Sequence, residues 1–391
     1  MSKPVSFENL EIAFQYKSNN DLRRAYWLFK AINNNWLVRV GPAMTRFAMR
    51  IHLPIKGLIK GTVFRHFCGG ETIAECQSAI EILARYGVST ILDYSGEGKE
   101  TEADFKRTFQ EVLSTMDYAQ VHKEISFCVF KVSGMARHHI LQAVSEGKAL
   151  SVSEQAEYSL IVDRVTTLCE RSAALGLRVF IDAEETWIQP AIDEMANAMM
   201  ERFNKEQAIV YNTVQLYRVD RLAYMKDQVE KAMAKGYKSG YKLVRGAYLE
   251  KERDRAKSNG YRSPLQITKE DSDRDYNAAL QFCVEHIDWV AICAGTHNEA
   301  SNRLLIEQMA KRGIPSNHPH VLFSQLYGMS DHLSFNLAEA GYKVAKYLPY
   351  GPVETVMPYL FRRAEENTAI AGQMGREFQM VCKEMVRRKK A

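Results

Sequence analysis

Disulfide frameworks and zinc ribbons are excluded first, because cysteine is sparse and scattered. Cys68, Cys76, Cys128, Cys169, Cys283, Cys293 and Cys382 stand singly, odd in number and without C-x-x-C spacing, which marks reduced thiols. No apolar run approaches the ~18–20 residues that a membrane-spanning helix needs. The opening Met1-Ser2-Lys3-Pro4-Val5 lacks the apolar core of a secretory leader, so export by that route is not expected. A G-x-G-x-x-G phosphate turn and an H-E-x-x-H helix are both missing, which argues against a dinucleotide-binding open sheet and against a zinc hydrolase. Internal repeats and low-complexity segments are absent too.

What is present is the composition of an ordinary globular chain with a large core: 391 residues, 46% hydrophobic and 25% charged. The net charge of +5 is unevenly laid out. Residues 1–65 carry eleven Lys or Arg against Glu8, Glu11 and Asp21, and residues 383–391 carry five against Glu384. The middle is therefore acidic. Basic ends of this kind suit docking on that middle, simple solvation, or peripheral contact with an anionic membrane surface. No nucleic-acid partner is expected, because the basic runs come without zinc-finger or RRM signatures.

From residue 88 onward, short β-branched apolar runs alternate with longer amphipathic stretches. Eight runs read as strands: 90–93, 127–132, 178–184, 209–215, 242–248, 289–295, 320–325 and 344–348. Between them, Tyr158, Ile161, Val165 and Leu168, or Ile192, Met195 and Met199, recur at helical spacing. Gly176, Gly236, Gly313 and Gly341 stand where helices would end in a left-handed residue. Eight strand–helix units predict an α/β fold, a (βα)8 TIM-like barrel, and near-continuous apolar strands fit a parallel sheet covered on both faces. A doubly wound open sheet is the alternative. Residues 1–86 read as a helical arm, with Asn20 or Asp21 capping a helix that carries Leu22, Tyr26 and Phe29. Pro42 opens a second helix, and Thr72 caps a third carrying Ile73, Cys76, Ile80 and Leu83. Residues 54–61, with Pro54, Gly57 and Gly61, are the least ordered stretch of this arm. The barrel domain spans 87–371 and a basic tail 372–391.

Barrels of this kind place their active sites at the carboxyl ends of the strands. The polar residues there are Asp93, Lys131, Asp182, Glu184, Gln215, Arg245, Tyr248, His297, Asn298, Gln325 and Tyr347. After the eighth strand, residues 357–367 read as a helix on which Tyr359 precedes Arg362 and Arg363 by three and four positions, so the three share a face. Paired guanidinium groups grip a carboxylate or phosphate bidentately and keep their charge. A solvated basic pair would need no such frame of tyrosines.

Residues 182–184, 242–248, 296–298, 325–329 and 347–367 together resemble the proline dehydrogenase family of flavoenzymes, in the same order across 85–370. The resemblance leans toward the family's monofunctional, eukaryotic-type branch. It implies a distorted (βα)8 barrel that binds FAD, with a final helix lying over the active site. It also implies oxidation of L-proline to Δ1-pyrroline-5-carboxylate, the first step of proline catabolism, with electrons passed to a membrane quinone. On matching positions, Arg362, Arg363 and Lys131 hold the proline carboxylate, Tyr248, Leu326, Tyr347 and Tyr359 wall the ring, and Asp182 supports the cations and tyrosines. Gln215, Lys242, Val244, Arg245, Gly246 and Ala247 fall on the flavin side, Thr296, His297 and Asn298 on the adenosine and pyrophosphate side, and Glu366 is a further cofactor contact. No metal site is implied.

The chain departs from many bacterial members, which have Arg where Lys242 stands and Lys where Arg245 stands. Lys242 and Arg245 cannot both face inward along a regular strand, so Gly246 marks a bulge or the strand's end. Members acting on hydroxyproline tend to carry a smaller residue where Tyr347 stands, which implies a preference here for unsubstituted proline. Competing readings are a lyase using Lys131 as a Schiff-base amine, a metal-dependent hydrolase using Asp182, Glu184 and His297, and a silent scaffold with a basic membrane-facing surface. The expected location is the cytoplasm, peripheral at the inner membrane; the alternative is mitochondrial, associated with the inner membrane.

Overall fold

The computed structural model describes residues 5–32, 55–95, 100–369 and 373–390. Eight strands, Val88–Tyr94 (β1), Ile125–Phe130 (β2), Arg178–Ile181 (β3), Val210–Gln215 (β4), Ser239–Val244 (β5), Val290–Gly295 (β6), Val321–Leu326 (β7) and Val344–Tyr350 (β8), form a closed parallel barrel in chain order. Closure comes from β8 pairing with β1 over Val88↔Val344 to Tyr94↔Tyr350. The expected (βα)8 architecture is therefore the observed one, and the open sheet is not.

Alternation along each strand divides the apolar residues between two layers. Ile91, Phe127, Val129, Phe180, Tyr211, Cys293, Leu322, Ala345 and Tyr347 pack inside the barrel, while Leu92, Cys128, Val179, Ile181, Leu243, Ile292 and Phe323 join the layer under the helices. Phe127 and Phe180 stack at 4.2 Å between ring centres, with Tyr211 edge-on at 5.1 and 5.5 Å. This aromatic plug closes the barrel interior below its carboxyl-end mouth. Cutting Phe180 to Ala would cost about 3–5 kcal/mol.

The helical caps follow the residue chemistry in most places. Thr72 caps Ile73–Arg85 as expected, and Ser151 with Glu154 closes a capping box at the start of Val152–Leu175. Gly176, Gly236, Gly313 and Gly341 all take left-handed backbone. In the arm, Asn19–Ile32 begins two or three residues earlier than expected, because Ser18 and Asp21 exchange hydrogen bonds and Ser18 takes the capping place assigned to Asn20 or Asp21. Pro42 lies outside the described residues. The stretch expected to be least ordered is helical from Lys56, passing through a π turn at Lys60–Phe64, with Ile59 and Phe64 buried.

Three strands, β2, β3 and β5, end earlier than the apolar runs suggest. β3 stops at Ile181 and β5 at Val244, so Asp182 and Arg245 are the first residues past their strands, as Lys131 is past β2. The closing helix Val353–Ala369 carries Pro358 in its second turn. The last helix, Gln373–Lys390, packs on the arm: Arg388 donates to the carbonyls of Phe14 and Lys17, and Glu384, fully buried, pairs with Arg387 and Arg388.

Candidate active site

Asp182 lies in the barrel mouth, directly past β3 and two residues after inward-facing Phe180, among side chains from three other strand ends. Its carboxylate accepts from Lys242 Nζ and, at 3.0 Å, from the Tyr347 hydroxyl, and Lys131 Nζ lies 3.5 Å away. Burial raises its pKa, but the charges of Lys242 and then Lys131 outweigh burial and hold it below the ordinary carboxylate value. Asp182 is therefore ionised at neutral pH. Tyr347 is pushed the other way, by burial first and then by Asp182 and Asp93, so it remains a phenol donor. Lys242 Nζ also stands over the rings of Phe180 and Tyr347, at 5.1 and 5.0 Å, which seats the cation on the aromatic plug. Asp93, on the neighbouring strand β1, lies 4.0 Å from Lys131.

The rim is built by the strand-end loops. Arg245, beyond the end of β5, donates to Asp273 at 2.5 Å, to Thr296 Oγ1 at 2.8 Å and to Ser301 Oγ at 3.0 Å. The parity conflict between Lys242 and Arg245 is resolved by the strand ending between them, and Gly246 follows at φ +137°. Val244 and Gly246 are half-buried and Ala247 exposed. Gln215 donates to the Glu184 carbonyl at 3.1 Å, while its own side-chain oxygen is buried without a partner among the described residues. Asn298 caps Glu299–Lys311 through Ser301 N, and His297 Nδ1 meets Ser330 Oγ at 2.9 Å. Burial, then the positive charges of Lys346 and Arg363, lower the His297 pKa to about 3, so the ring is neutral. A cleft of about 470 Å³ opens beside it, lined by Asn298, Arg303, His332 and Arg376.

The closing helix roofs the mouth. Arg363, buried, stacks over the Tyr359 ring at 5.1 Å, and Arg362 lies 5.8 Å from the Tyr248 ring. Leu326 packs against both the cluster holding Tyr359 and the barrel interior holding Tyr347, and so joins roof to mouth. The side chain of Glu366 lies outside the described residues.

This arrangement brings together Lys131, Asp182, Lys242 and Tyr347 in one network, and Arg245 and Thr296 in a second. Sequence reasoning left Phe180, Asp273 and Ser301 out of the site. Phe180 reads as core, and Asp273 and Ser301 sit on helices, where only the fold shows that they meet Arg245. Asp182, Glu184 and His297 do not converge: Glu184 accepts from Ser133 N at 3.0 Å and from its hydroxyl, away from His297. His318 and His320, at H-x-H spacing, lie before β7 at the opposite end of the barrel, with His320 bonded to the Ile287 carbonyl.

The family model described as proline dehydrogenase matches residues 76–376, which contain the whole barrel and its roof. The chain belongs to the proline dehydrogenase family. It is accordingly an oxidoreductase of that family. It is 35% identical to the carbapenem antibiotics biosynthesis protein CarD of Pectobacterium carotovorum subsp. carotovorum, over 82% of this chain and 83% of that one. It is 32% identical to proline dehydrogenase 2, mitochondrial, of Arabidopsis thaliana, over 85% and 79%. Among solved structures, proline utilization A from Bdellovibrio bacteriovorus superposes with a TM-score of 0.73 at 19% identity, covering 94% of this chain and 40% of that one. That likeness is one of fold, and this chain spans less than half of the larger protein.

Proposed function

We propose that this chain oxidises L-proline to Δ1-pyrroline-5-carboxylate, using FAD as its cofactor. The observation that carries the reading is a largely buried network, Lys131–Asp182–Lys242 with Tyr347, whose second lysine charge is met by Asp93 at 4.0 Å from Lys131, lying beneath a helix that supplies two arginines. In a pocket of this design Arg362 and Arg363 take the substrate carboxylate bidentately, with Lys131 as a third cation. Tyr248, Leu326, Tyr347 and Tyr359 hold the ring and exclude water, so that orientation does much of the work. Asp182, kept ionised by its lysines, is a weak base; its part is to balance Lys131 and Lys242 together with Asp93 and to aim the Tyr347 hydroxyl. The reaction removes a hydride from the ring carbon next to nitrogen and a proton from that nitrogen.

The residues fit a flavin. The unpartnered buried oxygen of Gln215 suits the ring's N–H donor, and Arg245, held in place by Asp273, Thr296 and Ser301, presents a fixed cation. The cleft beside His297 and Asn298 is lined by Arg303 and Arg376, both paired with Glu299, and by Glu377, and the buried Nδ1 of His332 has no partner there among the described residues, so the cleft offers polar groups for a dinucleotide end without a net positive wall. When bound, FAD supplies the two-electron acceptor that no side chain of this chain can provide. Gln215, Lys242, Arg245, Gly246 and Ala247 would hold its ring side, and Thr296, His297 and Asn298 its other end, with Glu366 as a further contact.

We assign the onward acceptor to a membrane quinone and the location to the inner membrane surface, bacterial or mitochondrial; the mitochondrial names of relatives favour the second. Turnover of L-proline with an artificial electron acceptor, with the product trapped by o-aminobenzaldehyde, tests the activity, and no proline-dependent turnover in flavin-replete protein would refute it. The Tyr347 hydroxyl, committed to Asp182 at 3.0 Å, leaves little room for a ring substituent. Proline should therefore be preferred over 4-hydroxyproline by at least about tenfold in kcat/KM, and Tyr347→Ser should narrow the gap. Equal kcat/KM for both substrates in the wild type would defeat this assignment.

A further inference from the structure

The loop 327–330, between β7 and the helix Asp331–Glu339, is fastened by groups that have no part in the reaction described above. Lys346 lies between inward-facing Ala345 and Tyr347 on β8, so its side chain leaves the barrel on the helix side, yet it is completely buried. Its ammonium donates to the carbonyl of Met329 and, at 3.4 Å, to that of Leu326, and it lies 2.9 Å from Asp331 Oδ1. The other oxygen of Asp331 accepts from Lys17 Nζ and from the Tyr16 hydroxyl, each at 2.7 Å. Tyr16 and Lys17 belong to the N-terminal arm, more than three hundred residues away in sequence.

The same loop is pinned at two more points. Ser330 takes left-handed backbone at φ 50°, the only non-glycine residue with positive φ among the described residues, and its N–H donates to Glu377 of the last helix at 2.5 Å. His66 Nε2 bonds the Gly328 carbonyl at 2.9 Å, and a Cβ on Gly328 would meet the His66 carbonyl at 2.2 Å. A strained serine and two lysines on one buried carboxylate persist only where the surroundings over-determine them. A buried ion pair adds little net stability over well-packed apolar residues, so its use is sought in position.

What it positions is the substrate wall. Leu326 is the last residue of β7 and lies opposite Tyr347 in the ladder, and Tyr327 N donates to the Tyr347 carbonyl at 2.9 Å. Lys346 therefore holds the backbone on one side of Leu326 while being itself the neighbour of Tyr347. We propose that Tyr16, Lys17 and Asp331 are positioning residues: acting through Lys346, the N-terminal arm fixes Leu326 and Tyr347 and so sets the width of the pocket for proline. The inference rests on the reading of Leu326 and Tyr347 as substrate walls.

The test compares wild type, Lys17→Met, Lys17→Arg and Tyr16→Phe for flavin content, Tm, and kcat and KM with L-proline and 4-hydroxyproline. Lys17→Met should raise the proline KM by about tenfold with flavin content unchanged and a smaller change in kcat, and should narrow the proline-to-hydroxyproline ratio. Lys17→Arg should restore both. Tyr16→Phe, which deletes one hydroxyl and keeps the ring that stacks on Phe335 at 4.5 Å, should move KM the same way by about threefold even if Lys17→Met does not fold. A lowered Tm with KM and the substrate ratio within twofold of wild type would overturn the proposal and leave the contacts purely structural. A wild type that does not oxidise proline would defeat the functional reading itself, whereas an active wild type with unmoved variants defeats this inference alone.

Discussion

Arg362 and Arg363 divide their work by environment. Arg363 is buried against Tyr359, and Arg362 is half-buried near Tyr248. Under the proposed function, replacing either by Ala should remove a charged hydrogen bond to the substrate carboxylate, a loss of about 1.5–3 kcal/mol, or roughly 10- to 100-fold in KM. Lys at either position should recover only part of this, because a point charge does not reproduce the fork. Steady-state kinetics beside flavin content would check it; an unchanged KM removes that arginine from the carboxylate site. At this scale the sequence was most informative about charge-bearing residues after apolar runs, since Lys131, Asp182 and Arg245 each follow a strand directly. It was silent on Phe180, whose use as a seat for Lys242 depends on which way the strand alternates.

Straps between neighbouring strand ends decide how the mouth holds its shape. Glu184, past β3, accepts from Ser133 N and Ser133 Oγ in the turn Val132–Met135 that follows Lys131, while its backbone carbonyl accepts from Gln215 of β4. Burial, and then repulsion from Glu185, push its pKa up from 4.5 to about 7. The folded chain thus binds this proton more tightly than the unfolded one. The associated stability is fully present below pH 4.5 and is lost as pH rises through about 7. Glu184→Gln cannot ionise, so its stability relative to wild type should improve steadily between these limits in denaturant titrations; a difference independent of pH would show that folding does not raise the Glu184 pKa. Such straps are hard to foresee from sequence. The eight strands were legible because parallel strands buried on both faces read as apolar runs, but the ends of β3 and β5 were not, because Asp182-Ala183-Glu184 and Arg245-Gly246-Ala247-Tyr248 continue the pattern without continuing the ladder.

At the scale of the whole molecule, both chain ends meet on the same side of the barrel: the arm reaches Asp331 through Lys17, and the last helix reaches Ser330 through Glu377. The charge bias of the ends was plain in the sequence, but its partial use in internal pairing was not. Arg387 and Arg388 are engaged by Glu384, while Lys389 and Lys390 are exposed. No helix among the described residues is long and apolar enough to cross a membrane. Under the proposed function, the exposed charge of Lys389 and Lys390 is the feature that would draw the chain to a membrane holding a quinone. Binding to vesicles containing anionic lipid should be measurable at low salt, fall steeply as salt is raised over a Debye length of about 10 Å at 0.1 M, and weaken in Lys389→Gln/Lys390→Gln; binding that ignores both salt and these charges would refute an electrostatic contact.

Under the proposed function, the charged mouth beneath the arginine helix is where proline would give up a hydride to a bound flavin. The most direct test is the absorption spectrum of the flavin-loaded protein under anaerobic conditions as L-proline is added. The expected result is a yellow protein whose flavin band bleaches on adding L-proline, far more slowly or at far higher concentration in Arg362→Ala or Arg363→Ala. A protein that takes up no flavin, or whose flavin spectrum is unmoved by saturating L-proline, would contradict it.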